Sequence, residues 1–473
     1  MRVEFYIKKP NYFSCYKEVK SSVHMHFSCF YVLCCSMVLF QRRVLESYFQ
    51  QSDAGIELKM FGDLVESVTN IDILTSSLSL FWENLSVSSV VMTILAIFML
   101  VGVVDKLRGN KHGYGEEFNK GFRAMGDLAL AIVGIIALSP VLLRVLSPIV
   151  TPLYNLIGAS PAMFPGSLFA LDMGGYAMAI QMAGENVAVG NYSGLIVASM
   201  MGITLCFTIP YALTILKKED RSLFATGILL GIVTLPIGCL LGGLAMNFTS
   251  TPLSLDELLI NTLPVILLAV FVGIGLIVKQ SLMLKLFEMF GKIVTLIAIV
   301  SPGIAIFQYL TGIRFPLFYL MVEEDPLLGG VPLEVGLLLI GLIAIVLAGA
   351  FPMILFLTRK LGKLMDRFGE KVGINREASS GLLTQLANNL PIWSLMSGMN
   401  QRGKLLNVVF TVSAAFVFGD VLAFTGGVNP EMVFPVIIAK LSAGILAILL
   451  TIYLLNKNIL KIEKLESKEV VSE

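Results

Sequence analysis

Nine apolar stretches along the chain reach the roughly 20 residues that a helix needs to cross the hydrocarbon core of a bilayer. They cover 90–105, 128–147, 192–216, 223–246, 258–278, 293–312, 335–358, 405–424 and 432–455. Charged residues fall between these stretches and rarely inside them, so the pattern predicts an all-α polytopic membrane protein. Two further segments, 161–184 and 379–398, are apolar but interrupted. Each carries polar groups at its centre: Asp172 ahead of Gly174–Gly175 in the first, Asn388–Asn389 ahead of Pro391 in the second.

Whether these two segments cross or enter and return is decided by positive charge, which collects in cytoplasmic connections. With both re-entrant, 23 Lys and Arg fall on the cytoplasmic side and 2, Arg144 and Arg314, on the outer side. With both crossing, the split is 13 against 12 and the bias is gone. The expected architecture is therefore nine transmembrane helices plus two re-entrant segments, the first span starting outside and the tail (457–473) in the cytoplasm. The first re-entrant segment then enters from outside and the second from the cytoplasm, as an inverted repeat requires. Self-similarity at an offset of 215 residues agrees: GSLFAL (166–171) aligns with GLLTQL (381–386), and Gly158 with Gly373. Proline turns at Ser139–Pro140 and Phe351–Pro352 end the preceding spans. The permease-like domain is 86–456, with repeat halves of about 86–246 and 289–456. In transporters of this kind the substrate site lies near the midplane at the repeat interface. Irregular backbone at that depth needs protein or a water-filled cavity to satisfy its polar groups.

These tips hold the candidate chemistry. Asp172 is a lone carboxylate at the centre of the first, and an unpaired charge there must face a cavity, a partner or a substrate. With the half-helix 163–172 ending beside it, the carboxylate and the negative end of the helix dipole favour a cation; the alternative is a structural Asp capping the next half-helix. Asn388 and Asn389 either hydrogen-bond a small polar substrate or satisfy the broken backbone, and the two roles are compatible. Tyr176, Gln181 and Trp393 either complete a cation-friendly pocket or are simply packed. Asp420 and Lys440 lie in the last two spans at depths about 6 Å apart, at about 1.5 Å per residue. They read as a neutralising ion pair, with a coupling-ion role as the sharper alternative. Asp127 reads as an N-cap of the second span.

Composition narrows the rest. Of the 473 residues 56% are hydrophobic and 14% charged, with mean hydropathy +0.84 and net charge +1. No basic stripe points to nucleic acid; the lipid bilayer is the expected partner surface. His24, His26 and His112 all lie outside the spans, which removes zinc, haem and Ser–His chemistry from the membrane region. No metal, cofactor or catalytic residue is expected. Four of six cysteines, Cys15, Cys29, Cys34 and Cys35, sit near the start, while Cys206 and Cys239 lie inside spans and read as small hydrophobes. Residues 1–85 form an extension, read as a signal-anchor around the apolar run 23–40 or as a mis-set translation start near Leu85.

Several stretches together resemble the EutH family of bacterial ethanolamine permeases. They include GFRAMGDLALAIVGIIALSPVL (121–142), PAMFPGSLFALDMGGY (161–176), LANNLPIWSLM (386–396), RGKLLNVVFTVSAAFVFGD (402–420) and FPVIIAKL (434–441). The resemblance runs in order from about 86 to 455 and implies a multi-pass bacterial inner-membrane protein that admits ethanolamine, and no enzyme. Asp172, Asn388, Asn389 and Asp420 fall within its motifs. Asp127 stands where a small apolar residue is expected and Val421 where a histidine is, and the second departure weakens an Asp–His proton relay. A carrier for another small amine or polar solute is the alternative. An intramembrane aspartyl-type enzyme needs two carboxylates sharing a proton, and the expected depths keep Asp172 and Asp420 apart.

Overall fold

The computed structural model describes Ser67 and residues 70–460. The apolar run 23–40, the four early cysteines, His24 and His26, and the tail beyond 460 lie outside the described residues. The chain divides into two units, Met1–Leu85 and Ser86–Glu473. In the first, helix α1 (Ile71–Glu83) is capped by Asn70, whose side chain accepts from the Asp72 N–H at 3.1 Å.

The second unit is helical throughout its described residues apart from one isolated bridge, Asp325–Gly330. In order it contains α2 (Val87–Leu107), α3 (Tyr114–Leu156), α4 (Met163–Leu168), α5 (Tyr176–Ala183) and α6 (Val187–Asn191). Wide π-helical turns over Tyr192–Gly202 and Thr204–Thr208 carry α6 into α7 (Ile209–Ile215). There follow α8 (Arg221–Ala245), α9 (Leu255–Val278), α10 (Gln280–Thr311), α11 (Pro332–Val372), α12 (Arg376–Ala387) and α13 (Leu390–Leu395). The last three are α14 (Gln401–Ala414), α15 (Asp420–Val428) and α16 (Val433–Asn456).

Local chemistry sets the boundaries. Ser86 and Ser89 exchange side-chain and backbone hydrogen bonds at 3.0 and 2.8 Å, a capping box that starts α2. Ser254 and Glu257 do the same for α9. The long helix α3 carries three interior prolines, Pro140, Pro148 and Pro152, and α11 carries Pro352; both stop at left-handed glycines, Gly158 (φ 72°) and Gly373 (φ 75°). α3 and α11 pack along one another, α2 packs on α11, α10 packs on α3, and α8 pairs with α16. Outward faces of α9 and α10 expose Phe271, Ile277, Leu296 and Ile299, as a lipid-facing surface requires.

Among the described residues eight helices are long and apolar enough to cross a membrane: this is a multi-pass membrane protein. They coincide with eight of the nine expected spans. The ninth, 405–424, is not one continuous helix. α14 stops at Ala414, residues 415–419 form a turn, and α15 runs on to Val428. At the break Phe416 adopts φ 63° and Gly419 φ −108°, ψ −124°, neither of them helical.

Candidate functional site

Three chain breaks lie in the second unit, after Leu168, after Ala387 and at 415–419. In the first interrupted segment the helix ends at Leu168, extended Phe169 and Ala170 follow, and Leu171–Gly175 forms a wide turn into α5. In the second, α12 ends at Ala387 and extended Asn388 leads into α13. Each break is pressed against a glycine of the span that follows it. A Cβ on Gly202 would sit 1.9 Å from the Phe169 carbonyl oxygen, and one on Gly419 1.9 Å from that of Ala387. Only glycine permits that approach.

Backbone polarity is settled across these contacts. The last carbonyls of a helix lack intrahelical partners, and those of Gln385 and Leu386 accept the Phe416 and Phe418 N–H groups, both at 2.8 Å. The turn that breaks the ninth span thus completes the end of α12. Buried amides join α12 to α14: Gln385 donates to Asn407 Oδ1 at 3.1 Å and accepts from the Thr411 hydroxyl. On the other side, the Ala170 N–H donates to Cys206 Sγ at 3.1 Å. Two residues on, Thr208 Oγ1 accepts from Asn389 Nδ2 at 3.3 Å, so one span ties the two breaks together.

Asp172 lies second in the Leu171–Gly175 turn that leads into α5. The expected position at the end of an incoming half-helix is corrected: that helix stops at Leu168, four residues earlier. Asp420 opens α15. α15 continues eight residues beyond it to Val428, past the expected end of that span at 424. Asp420 therefore stands at a helix start, where the dipole favours negative charge, whereas Asp172 lies in the turn ahead of α5, with non-helical Met173 and Gly174 between. α15 packs against the Leu171–Gly175 turn, and Asp172 and Asp420 lie within electrostatic range of each other. Both are half-buried among largely buried neighbours. Asp420 has no hydrogen-bond donor, and neither carboxylate has a cationic partner, among the described residues.

The expected Asp420–Lys440 ion pair is absent among the described residues. Lys440 is 1% exposed and donates to the Ser199 carbonyl at 2.5 Å instead. Ser199 lies in the π-helical stretch Tyr192–Gly202. Tyr176 is half-buried and meets Phe424 edge to face at 5.8 Å, which brings α5 and α15 together beside the two carboxylates. Gln181 is buried and donates to Ser139 Oγ at 2.9 Å on α3. Trp393 packs edge to face on Phe224 at 5.6 Å. Asn388 caps α13 by accepting from the Leu390 N–H at 2.8 Å, and Asn389 is fully buried with its Oδ1 unpartnered. Among the described residues no group of His, Cys, Asp and Glu is arranged to hold a metal.

Residues 87–454 match the family described as "Ethanolamine utilisation protein, EutH". The chain belongs to the EutH family. It is 43% identical to the "Probable ethanolamine permease EutH" of Listeria monocytogenes, over 79% of this chain and 95% of that protein. It is 39% identical to the Escherichia coli protein of the same name, over 79% and 97%. A Bacillus subtilis relative, "Uncharacterized protein YxeR", is 41% identical over 77% and 94%. No solved structure matches the chain. Within this EutH chain, sequence reasoning passed over Cys206, Thr208, Gln385, Asn407 and Thr411, which hold the breaks in register. The available signal was their polarity: Thr204, Cys206 and Thr208 recur at alternate positions inside an apolar span.

Proposed function

We propose that this chain is a permease that admits ethanolamine across the bacterial inner membrane, with the protonated amine held at Asp172 and Asp420. The observation that carries the reading is two carboxylates on elements that pack together, Asp172 in the Leu171–Gly175 turn and Asp420 at the start of α15, with no basic partner among the described residues. Two anions facing one space at that depth call for a cation. Tyr176 offers an aromatic face to the ammonium. Asn389 offers an unpartnered acceptor, and Asn388 an Nδ2 without a partner among the described residues, to the hydroxyl of the substrate. Gln181 stands behind Tyr176 on α5 and fixes that helix to the kink at Pro140. Lys440 serves the structure and not the amine, by its bond to Ser199.

The proposed topology is nine crossings and two opposed re-entrant tips in an inverted repeat, the ninth crossing made by α14 and α15 together. The 23-to-2 charge split supports it. So do paired features of the two halves: α3 and α11 with their prolines and terminal glycines, and Gly202 and Gly419 against the two breaks. Asp172 and Asp420 come together, contrary to the depths expected from sequence, so depth does not argue against an aspartyl enzyme. The relatives are named as permeases, and the pair is read as a cation site.

The test is labelled ethanolamine uptake, at submillimolar substrate and acid pH, by cells lacking other routes. Asp172→Asn lowers saturable uptake by roughly 10- to 100-fold, the worth of a hydrogen bond to a charged group, with the protein still present in the membrane. Wild-type rates in that variant sink the site. Uptake competed better by another small amine or alcohol than by unlabelled ethanolamine moves the substrate to that compound and keeps the rest.

A further inference from the structure

The first interrupted segment is held at both ends by one turn of α9. Where the chain leaves α3 past left-handed Gly158, the Ser160 N–H donates to Asn261 Oδ1 at 2.8 Å. Asn261 is buried, and its Nδ2 is spent within α9 on the Glu257 carbonyl at 2.9 Å. At the other end α5 stops at Ala183, and Asn186 Nδ2 donates to Glu257 Oε1 at 3.1 Å. The second oxygen of that carboxylate, Oε2, accepts from the Ser254 hydroxyl at 2.8 Å in the cap of α9. Residues four apart lie on one face of a helix, so Glu257 and Asn261 present a single edge of α9 to both the entry and the exit. α4, inside the segment, packs against α9 as well.

The second interrupted segment closes on itself instead. Asn375 Nδ2 donates to the Gly398 carbonyl at 2.7 Å, and its Oδ1 accepts from the Asn400 N–H at 3.2 Å. Asn400 Nδ2 returns the contact to the Gly373 carbonyl at 2.9 Å. Entry and exit are thus joined by two asparagines of the segment's own connections. A buried main-chain N–H needs an acceptor, and that need alone explains the bond from Ser160 to Asn261. It does not explain why the same turn of α9 also takes the exit. The next residue gives a contrast: the Thr262 hydroxyl donates to the Leu258 carbonyl and accepts from the Tyr192 hydroxyl, both at 2.6 Å, a bond to the span that follows the segment.

We infer that Asn261 and Glu257 are positioning residues for the amine site: by gripping the first segment at its entry and exit, α9 sets where the tip carrying Asp172 stands. Twelve residues lead from Ser160 to Asp172 and fourteen from Asp172 to Asn186, so the tip hangs almost midway between the two attachments. With one attachment cut, the segment pivots about the other and the carboxylate is displaced, while the helices on either side of the tip keep their own hydrogen bonds. The inference rests on the amine reading of Asp172 and adds how that group is held in place.

Saturable uptake of labelled ethanolamine by cells lacking other routes, counted per folded molecule in the membrane, tests it through KM. Asn261→Ala and Glu257→Ala should each raise KM several-fold, up to the roughly 10-fold that one hydrogen bond is worth. Glu257→Gln keeps an acceptor for Asn186 and suits the cap of α9, so its KM should return to near wild type. Thr262→Val removes a buried hydrogen bond of the same kind and should lower the melting temperature with KM unchanged. Should Asn261→Ala fail to fold, the less buried Glu257 decides through its alanine and glutamine variants. Wild-type KM in the alanine variants overturns the positioning role and leaves the amine site standing. So does a KM raised as far by Thr262→Val, or one that Glu257→Gln does not recover. Absence of saturable ethanolamine uptake in the wild type overturns the amine reading and this inference with it.

Discussion

The two interrupted segments make the same detour by different means. In the first, Met163 to Ala183, a short helix gives way to a wide turn, and the polar group left at the tip is a half-buried carboxylate. In the second, Arg376 to Leu395, the tip carries amides, and most of its polarity is already spent. Asn388 caps α13, Asn389 reaches Thr208, and Gln385 is bound by Asn407 and Thr411. The first tip thus keeps its chemistry open and the second closes most of its own. Closing it has a cost elsewhere: the ninth span is broken so that Phe416 and Phe418 can complete α12. On the proposed reading, one tip recognises the amine and the other holds the frame around it.

The largest effect expected is at the glycines that let each tip approach the following span. Gly419→Ala forces a Cβ into the Ala387 carbonyl and should cost about 3 kcal/mol, at the upper end for overpacking. Gly202→Ala meets the Phe169 carbonyl at the same would-be distance and should cost the same. Gly362→Ala, on α11 with nothing within 4 Å, is the control. It should be neutral or slightly stabilising, since alanine suits a helix better by about 0.5–1 kcal/mol. Thermal unfolding in detergent reads all three. Equal losses at 202 and 419 sharpen the pairing of the two halves; a tolerated alanine at either position breaks it.

Next in size is Lys440. The irregular span of the first half is held by this side chain on the Ser199 carbonyl, where the second half uses backbone N–H groups. Lys440→Met keeps the length and removes the donor, leaving a buried carbonyl unpaired at about 1–3 kcal/mol. The melting temperature should fall while ethanolamine uptake per folded molecule stays near wild type. Unchanged stability with lost uptake would return Lys440 to a coupling role.

How much of this was legible in the residues divides along the same line. Apolar runs, charge placement and the polar centres of two segments were enough to mark the helices, the tips and Asp172. The packing of α15 against the Leu171–Gly175 turn was not legible, because it depends on a helix break inside an uninterrupted apolar run. Nothing in VSAAFVFGD announces that Phe416 takes a left-handed conformation; the partner that makes it worthwhile, the end of α12, lies some 30 residues earlier in the chain. With the span read as one straight helix, Asp420 rose to the outer end and Lys440 became its natural partner by depth. A tertiary hydrogen-bond requirement overrode local propensity, which apolar patterning alone does not encode.

The smallest effect tests whether the second tip is framework alone. Asn388 accepts from the Leu390 N–H at 2.8 Å, two residues on, the geometry by which an Asn side chain starts a turn or helix. Asn388→Ala removes that acceptor and should lower stability by about 1 kcal/mol, as for other lost caps. Asn388→Asp keeps an acceptor at the same place and should recover most of it. If the alanine variant takes up ethanolamine with an unchanged KM once its folded fraction is counted, the side chain works on the backbone and the substrate hydroxyl is left to Asn389. If KM rises several-fold in the alanine variant while its unfolding temperature holds, the free Nδ2 of Asn388 is touching substrate. The two tips then share recognition, and the division of labour between them fails.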